Sequence, residues 1–439
     1  MPLPQRYSEQ VSDMHKIWEP EGYFASQLRI WLAQCEARNE LFDKPNDSEL
    51  SEIKQALTLS AEEIESLSNA GGHETNKLLR LVQGKASKEA GNYIHKGNTS
   101  SDVLDTSVAL QILDSLAILE ADFDKLLDSL KALTIKHKKT LQVGRSHGQH
   151  AVPHTFGRQV LGWLAEVKRD KERLERAKKV IAFGKCSGEI GTSVFIEPEV
   201  EELALKKLGL TPDTAATQVI SRDRHAEVLS LLAVNAGTLD RIAVNIRLLS
   251  ITDVGEVREP FDPANQQGSS AMPHKRNPEL SERVSGLARV IRSAAAEELQ
   301  SQALWFERDI SHSSTERFAF PDAFEGLLYA VRLMQEIIEG LVVYEDKMLE
   351  NLNNTYGAVY SPRLFNALLE TEKGSRTEWY ELVKGLAQEA MDTKTQLKEL
   401  ALKNEQITEV LEAGVVEELF NPEFYLRNID TAYIRAGFK

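Results

Sequence analysis

A short run rich in hydroxyl, cationic and amide side chains occupies residues 268–278 and reads Gly-Ser-Ser-Ala-Met-Pro-His-Lys-Arg-Asn-Pro. Pro273 and Pro278 lack a backbone N–H and disfavour helix in the residue before them, so the run should form a loop. A serine hydroxyl close to a lysine and an amide can bind a carboxylate and remove a proton from the adjacent carbon. The run therefore predicts a base with a carboxylate clamp, in which Lys275 and Asn277 hold the carboxylate.

Three histidines lie close together in a second run, residues 144–157. A nitrogen leaving group needs a proton, and histidine supplies one most readily near neutral pH. His147, His150 and His154 could alternatively bind zinc, but Pro153 interrupts any helix that would bring them together, and the run contains no carboxylate ligand. The run predicts a general acid, and the residues alone leave open which histidine it is.

A third run, residues 95–106, lies at the predicted start of a long helix and contains three consecutive hydroxyl side chains. The free N–H groups and the positive dipole end of a helix start attract anions. Thr99, Ser100 and Ser101 would add hydroxyl donors to such a site. The same residue types also cap helices without binding any ligand, and both roles can coexist on different residues.

Proline spacing and apolar periodicity predict the elements that position these runs. In the first long proline-free stretch, apolar residues recur at intervals of three and four: Leu116, Leu119, Phe123, Leu126, Leu127, Leu130 and Leu133. Similar stretches cover residues 159–181, 226–251, 280–303 and 323–348. Helices of about 25 residues span nearly 40 Å. The pattern predicts an all-α fold with a central antiparallel bundle of five long helices.

The bundle divides the chain into three predicted domains. A smaller helical domain should cover residues 1–98, the bundle residues 99–357, and a C-terminal helical domain residues 358–439. Evidence for strands is confined to short extended pieces at residues 194–196 and 219–220. Several bundle helices carry apolar residues on more than one face, which suits packing against other subunits.

Composition excludes several classes of function. The net charge of −15 disfavours nucleic acids and anionic membranes as partners, so an anionic substrate would need a local cationic pocket. Two cysteines in 439 residues indicate a reducing compartment rather than a disulfide framework. The sequence contains no long uncharged apolar stretch and no apolar signal segment at its start. These features predict a cytoplasmic protein.

The residue 268–278 run closely resembles the signature loop of the fumarase/aspartase superfamily, whose members eliminate fumarate from succinyl-bearing substrates. Residues 145–153, Arg-Ser-His-Gly-x-His-Ala-x-Pro, resemble its general-acid segment. Residues 6–8, 217–225 and 304–317 resemble the adenylosuccinate lyase branch, and the resemblance covers almost the whole chain. It implies the superfamily's three-domain fold and a homotetramer in which three subunits build each active site. It implies no metal and no organic cofactor.

The resemblance also implies individual roles. The base is Ser269 rather than Ser270, the general acid is His147, and His73 supports the acid. Residues implied to bind the substrate are Lys275, Asn277, Thr99 and Ser100 at the succinyl carboxylates, Gln218 and Ser146 at the succinylamino group, Arg6, Tyr7, Arg308, Ser313 and Arg317 at the nucleotide phosphate and ribose, and His95 near the phosphate end. The substrates implied are adenylosuccinate and the succinylated imidazole carboxamide ribotide of purine synthesis.

Two departures from the branch pattern bear on nucleotide preference rather than on the elimination chemistry. Gly72 precedes His73 where the branch commonly has arginine, and residues 253–261 differ from the usual acidic pattern. Three other functions remain as alternatives to the adenylosuccinate lyase activity. A sister lyase could act on another succinyl or carboxymuconate-type substrate, a silent structural protein could share the scaffold, and a metal-dependent hydrolase could use the three clustered histidines.

Overall fold

The computed structural model describes residues 5–261 and 272–438, apart from the side chains of Gln5 and Arg6. The α-helices in this part of the chain are α1 (Gln5–Ser8), α2 (Ser12–Trp18), α3 (Pro20–Phe42), α4 (Asp47–Ala56), α5 (Ala61–Asn69), α6 (Glu74–Gly84), α7 (Lys88–Gly91), α8 (Ser100–Lys136), α9 (Phe156–Ile181), α10 (Pro198–Lys207), α11 (Asp223–Leu249), α12 (Glu279–Gln300), α13 (Ser311–Gly340), α14 (Glu345–Asn353), α15 (Ser361–Glu370), α16 (Arg376–Thr393), α17 (Leu397–Lys403), α18 (Glu405–Thr408), α19 (Ala413–Glu418) and α20 (Ile429–Arg435). Short 3-10 turns cover Glu9–Val11, Ala358–Tyr360 and Pro422–Leu426.

Strands in the described residues are few and pair two by two. An antiparallel hairpin joins β1 (Leu141–Ser146) to β2 (Gln149–Thr155). The other pairs have two residues in each strand: β3 (Phe183–Gly184) runs parallel to β4 (Thr211–Pro212), and β5 (Val257–Arg258) runs antiparallel to β6 (Val342–Val343). The all-α prediction is confirmed.

The chain forms two compact units made of non-contiguous segments. The first contains the residues up to 126, then 167–241 and 283–334; the second contains 127–166, 242–282 and the residues from 335 onward. The five long helices α8, α9, α11, α12 and α13 each contribute a part to both units. The division into three domains at residues 98 and 357 stays a prediction.

In the first unit the five long helices pack side by side as the sequence predicted. Side-chain contacts join each neighbouring pair: Lys171–Asp124 between α8 and α9, Arg176–Glu227 between α9 and α11, Arg292–Asp240 between α11 and α12, Arg283–Tyr329 between α12 and α13, and Arg332–Asp122 between α13 and α8. The partners lie far apart in sequence, so these contacts fix the order of helices around the bundle. No helix among the described residues is both long and apolar enough to span a bilayer.

Both predicted bounds of the last bundle helix were wrong. We expected a helix over residues 323–348, but α13 runs from Ser311 to Gly340 and carries Pro321 inside it. Proline removes one backbone hydrogen bond, yet the helix continues because Phe320 and Phe324 on either side are buried. Packing therefore outweighs the local cost of the proline.

Neither predicted extended segment is a strand. Residues 194–196 form bends rather than a strand: Phe195 is 63% exposed, whereas Ile196 is buried and packs in a small core cluster with Val200 and Ala204. At residues 219–220 the amide N–H of Ile220 donates to the Asp105 carboxylate at 2.7 Å. A carboxylate rather than a neighbouring strand satisfies this backbone group.

Candidate active site

A cavity of about 310 Å³ lies in the first unit at the start of α13. Arg308, Ser313 and Arg317, three of the predicted phosphate ligands, all line it. Its apolar wall includes Trp18 and Phe320, whose rings stack with centroids 6.0 Å apart. The sequence motif of residues 304–317 therefore delivers its cationic and hydroxyl groups to one concave surface.

The three polar groups suit an anion. The buried Nε of Arg308 has no hydrogen-bond partner among the described residues. Ser313 lies in the first turn of the 30-residue helix α13, where the helix dipole favours negative charge. Arg317 points both outer nitrogens at the Glu74 carboxylate, at 3.2 and 3.0 Å. Guanidinium forks of this kind bind carboxylate and phosphate groups in the same bidentate way.

A buried ion cluster forms another wall of the cavity. The Arg222 guanidinium donates to both Asp105 oxygens at 2.8 and 2.9 Å and to Glu316 Oε1 at 2.6 Å. It also donates to the Ile220 carbonyl at 2.7 Å. Arg222 is thus committed to protein partners and ties α8, α11 and the first turns of α13 together. We interpret it as the support that holds Ser313 and Arg317 in place.

Burial and charge together set the titration of this cluster. Burial raises the pKa of Asp105, but the Arg222 charge outweighs it and holds the pKa at about 2. Burial, reinforced by the same arginine charge, lowers the pKa of His312 to about 4 and that of His225 to about 3. Asp105 is therefore ionised and both histidines are neutral at neutral pH.

Glu298 is a fully buried carboxyl on α12 in the same region. Burial, followed by the negative charge of Glu316, raises the pKa of Glu298 to about 8. A carboxyl whose pKa is higher in the folded than in the unfolded state stabilises the fold at low pH and loses this contribution as the pH rises through the folded value. Stability should therefore fall as the pH rises from about 5 to above 8.

We expect Glu298→Gln to flatten this pH dependence, because the amide never has to ionise in the interior. The variant should melt at a higher temperature than the parent chain at about pH 9, as measured by thermal unfolding over a pH series. Glu297→Gln is the matched control, since Glu297 is the exposed neighbour on the same helix. A parent melting temperature that does not change with pH, or a Glu298→Gln curve parallel to it, would contradict the prediction.

His73 and His95 both lie in the first unit but in different settings. His73 is exposed, precedes α6, and accepts the Asn76 N–H at 3.4 Å on Nδ1. His95 accepts the Trp31 indole N–H at 3.0 Å on Nδ1 and has a positive φ of 67°. Burial, and then the charge of His73, lower the pKa of His95 to about 4. His95 is therefore a neutral hydrogen-bonding group rather than a proton source at neutral pH.

The predicted anion site at the start of α8 already contains a carboxylate from the protein. The fully buried Asp102 accepts the N–H of Thr99 at 2.7 Å and that of Ser187 at 3.0 Å, and it pairs with the fully buried Lys185 at 2.5 Å. Thr99 and Ser100 remain half-buried at the helix start. Asp102 therefore binds the backbone N–H groups at this helix start, and the binding role of Thr99 and Ser100 stays a prediction.

Gln218 and Tyr7 are also predicted substrate-binding residues that lie in the first unit. Gln218 is half-buried, and its neighbour Thr217 donates to the Glu307 carbonyl at 2.7 Å, so this loop is tied to the segment before Arg308. The Tyr7 ring stacks on Tyr329 with centroids 4.8 Å apart. Arg6 belongs to the same short helix, α1, but its side chain lies outside the described residues.

In the second unit the predicted acid lies at the tip of a β-hairpin. His147 and Gly148 have positive φ angles of 53° and 75°, between the paired residues Ser146 and Gln149. Two positive φ angles at the central positions are typical of the tight turns that join antiparallel strands. The hairpin presents His147 and Ser146 as exposed side chains. Pro153 lies in β2, so the run is a hairpin, in line with the expectation that no helix brings the three histidines together.

A buried carboxylate anchors this hairpin. Glu256 is fully buried and accepts Arg145 Nη1 and Nη2 at 3.0 and 2.5 Å and Gln142 Nε2 at 2.7 Å, all from β1. Asn351 of α14 donates to the same carboxylate at 2.8 Å. Despite burial, these donors lower the pKa of Glu256. The strand leading to His147 is therefore held by an ionised, fully hydrogen-bonded group.

The other two histidines of the run differ from His147. Partial burial and the Arg145 charge lower the pKa of His150. Burial, assisted by Arg158, lowers that of His154 to about 4. No group of three histidine, cysteine, aspartate or glutamate side chains within residues 5–261 and 272–438 could hold a metal ion. The three histidines do not form a metal cluster.

The signature loop lies partly outside the described residues. Ser269 is among the residues that the structure does not describe, whereas Met272 to Pro278 are irregular, as predicted, and Lys275 and Asn277 are exposed. Glu259, which precedes the loop, accepts the N–H groups of Leu280 and Ser281 at 3.0 and 2.8 Å. One buried carboxylate thus joins the segment before the loop to the first turn of the helix after it.

Four further residues line the cavity without a role predicted from sequence, namely Tyr23, Glu74, Asp105 and Arg222. Glu74 directly follows His73, Asp105 lies in the run of residues 95–106, and Arg222 lies within residues 217–225. A charged residue that interrupts an apolar helix pattern was the available signal. Their pairings were not visible, because Asp105 and Arg222 lie 117 positions apart.

Comparison with known proteins gives consistent matches over the whole length. Residues 5–293 match a family model described as "Lyase", and residues 357–436 match one described as "Adenylosuccinate lyase C-terminus". The adenylosuccinate lyase of Synechocystis sp. is 42% identical, over 98% of this chain and 99% of the relative. The adenylosuccinate lyase of Aquifex aeolicus is 40% identical, over 98% of both chains.

Solved structures support the fold. A fumarate lyase from Mesorhizobium sp. BNC1 superposes with a TM-score of 0.87 at 26% identity, over 97% of both chains. A 3-carboxy-cis,cis-muconate lactonizing enzyme from Pseudomonas putida superposes with a TM-score of 0.85 at 28% identity, over 97% of this chain and 96% of that one.

Proposed function

Because the chain belongs to the adenylosuccinate lyase family, we propose that it cleaves adenylosuccinate to AMP and fumarate. The same elimination converts the succinylated imidazole carboxamide ribotide of purine synthesis to its carboxamide product. The chain is thus a carbon–nitrogen lyase of purine nucleotide biosynthesis.

One observation carries the choice of a nucleotide substrate. Arg308, Ser313 and Arg317 converge on one cavity, although the chain as a whole is strongly acidic. An acidic chain needs local positive charge to bind an anionic substrate, and these arginines supply it beside the carboxylates that line the same cavity. Two arginines beside a helix N-terminus are the donors that a phosphate monoester requires.

The chemistry is a β-elimination with separate base and acid. Ser269 removes the proton from the succinyl carbon beside the carboxylate, and the electron pair forms the double bond of fumarate. The carbon–nitrogen bond breaks, and His147 delivers a proton to the departing nitrogen. His73 supports the acid, and no step needs a metal or an organic cofactor.

The remaining predicted residues bind and orient. Lys275, Asn277, Thr99 and Ser100 hold the succinyl carboxylates, where their positive charge and N–H or O–H donors stabilise the dianion that develops during proton removal. Gln218 and Ser146 orient the succinylamino group. Arg6, Tyr7, Arg308, Ser313 and Arg317 hold the phosphate and ribose, with His95 near the phosphate end as a neutral hydrogen-bond partner.

The decisive assay adds adenylosuccinate to the purified chain and measures AMP and fumarate. We expect both products in equal amounts, and the absence of both would refute the assignment. The succinylated ribotide should be tested beside it, because the two departures in sequence bear on the preference between the two substrates.

A sister lyase acting on a carboxymuconate-type substrate is the second candidate. The similarity to the muconate lactonizing enzyme in fold is the observation that favours it. Such an enzyme has no use for a phosphate site, so comparing adenylosuccinate with its dephosphorylated nucleoside separates the two. Equal activity on both would favour the sister lyase.

We also infer a homotetramer with shared active sites in the cytoplasm. Apolar side chains on the long helices remain exposed in the single chain, among them Leu299 at 53% and Phe318 at 56%. Exposed apolar groups of this kind are typical of surfaces that another subunit covers. Both cysteines are free and buried, which suits a reducing compartment. Sedimentation velocity tests the tetramer directly.

A further inference from the structure

Glu74 occupies the guanidinium fork of Arg317, the group assigned to the substrate phosphate. Its Oε1 and Oε2 accept from Nη1 and Nη2 at 3.2 and 3.0 Å, so the two planar groups face each other. The Tyr23 hydroxyl donates to Oε2 at 3.0 Å and fixes the carboxylate from its other side. Arg317 therefore already holds an anion that belongs to the protein.

The carboxylate lies at the phosphate site itself. Glu74, Tyr23 and Arg317 line the same cavity as Arg308 and Ser313. Burial raises the pKa of Glu74, but the Arg317 contacts outweigh it and lower the pKa overall. Glu74 is thus an anion at neutral pH, and it uses the same two N–H groups that a bidentate phosphate would use.

Neither of the other two arginines described in the cavity can replace Arg317 as the partner of both Glu74 and a phosphate. Arg222 is committed to Asp105 and Glu316 in the interior. Arg308 lines the cavity, and its Nε has no hydrogen-bond partner among the described residues. A phosphate can therefore bind Arg308 without competition but can bind the Arg317 fork only when Glu74 leaves it.

We propose that Glu74 is an internal competitor for the phosphate site, which weakens the binding of substrate and product by occupying Arg317. This inference rests on the proposed function for the identity of the ligand. AMP retains the phosphate after fumarate has gone, so tight phosphate binding would favour substrate and product alike. Binding energy shared equally in this way does not accelerate the chemical step and slows product release.

The expected change in phosphate affinity follows from the solvent exposure of the Arg317–Glu74 ion pair. Arg317 and Glu74 are 54% and 35% exposed, so solvent screens their attraction. Exposed ion pairs contribute up to about 1 kcal/mol, and about 1.4 kcal/mol is a tenfold change in affinity. Glu74→Gln should therefore tighten the inhibition constants of AMP and inorganic phosphate by about two- to five-fold, and the KM for adenylosuccinate should fall in parallel.

Three further variants make the test specific. Asp114→Asn is the matched control. Asp114 forms an exposed ion pair with Arg29, so this substitution also removes one negative charge from an arginine partner, but away from the cavity. Glu74→Ala should tighten binding as Glu74→Gln does, since either change frees the fork. Arg317→Ala should raise KM, and adding Glu74→Gln to it should leave phosphate affinity unchanged.

Calorimetric titration of the full chain with inorganic phosphate and with AMP measures these affinities. A purely structural role for Glu74 predicts unchanged or weaker binding, and that result in both Glu74 variants would overturn the proposal. Tighter binding that persists in the Arg317→Ala background would overturn it too. The phosphate titration does not depend on catalysis, so a chain that releases no fumarate would refute the proposed function separately.

Discussion

Ser269→Ala is expected to lower kcat by about 10²–10⁴-fold while leaving the KM for adenylosuccinate close to the parent value. The proton beside a carboxylate is weakly acidic, so its removal requires a base positioned against it. The alanine variant retains the cationic and amide groups that bind the substrate but has lost the atom that accepts the proton. Steady-state measurement of fumarate release gives kcat and KM together.

Ser270→Ala is the matched control, since it makes the same change one residue further on. Near-normal turnover in Ser269→Ala, with the loss found in Ser270→Ala instead, would assign the base to Ser270. If both variants kept near-normal turnover, neither serine would be the base. Glu259 accepts the N–H groups of Leu280 and Ser281, and these contacts join the segment before the loop to the helix that follows it.

The helical framework could be predicted from sequence because its signal is local. Apolar residues at threes and fours identified each long helix, and Ser100 to Lys136 and Phe156 to Ile181 are helices as expected. The rule failed where tertiary packing overrides local preference. Pro321 continues a helix whose neighbouring phenylalanines are buried, and no sequence window reveals that burial.

The chemistry of the candidate site could be read only in part. The hydroxyl, cation and histidine runs predict which side chains act, since each role requires a particular side-chain chemistry. Their supports could not be read, because they depend on partners distant in the chain. Arg145 meets Glu256 across 111 positions, and Arg317 meets Glu74 across 243. Such carboxylates decide where the acting groups point, and sequence spacing says nothing about them.

His147→Gln is expected to lower kcat by about 10²–10⁴-fold with little change in KM, because an amide cannot give the departing nitrogen a proton. The hairpin should keep its shape, since Glu256 holds it through Arg145 and Gln142 rather than through the turn. Parallel assays of kcat and KM on adenylosuccinate measure the effect. A general acid acts on the chemical step, so a change confined to KM would contradict the assignment.

His150→Gln provides the control, since it makes the same substitution three residues away in the same hairpin. His150 lies opposite Arg145 in the strand pairing, and partial burial with that positive charge lowers its pKa. A histidine whose pKa falls below its ordinary value is mostly deprotonated at neutral pH and is a poor proton donor there. The environment of His150 thus disfavours it as the acid, and that of His154, with a pKa of about 4, does so more strongly. We therefore expect His150→Gln to retain most of the turnover, and an equal loss in both variants would mean that the hairpin's integrity, rather than the proton of His147, had been measured.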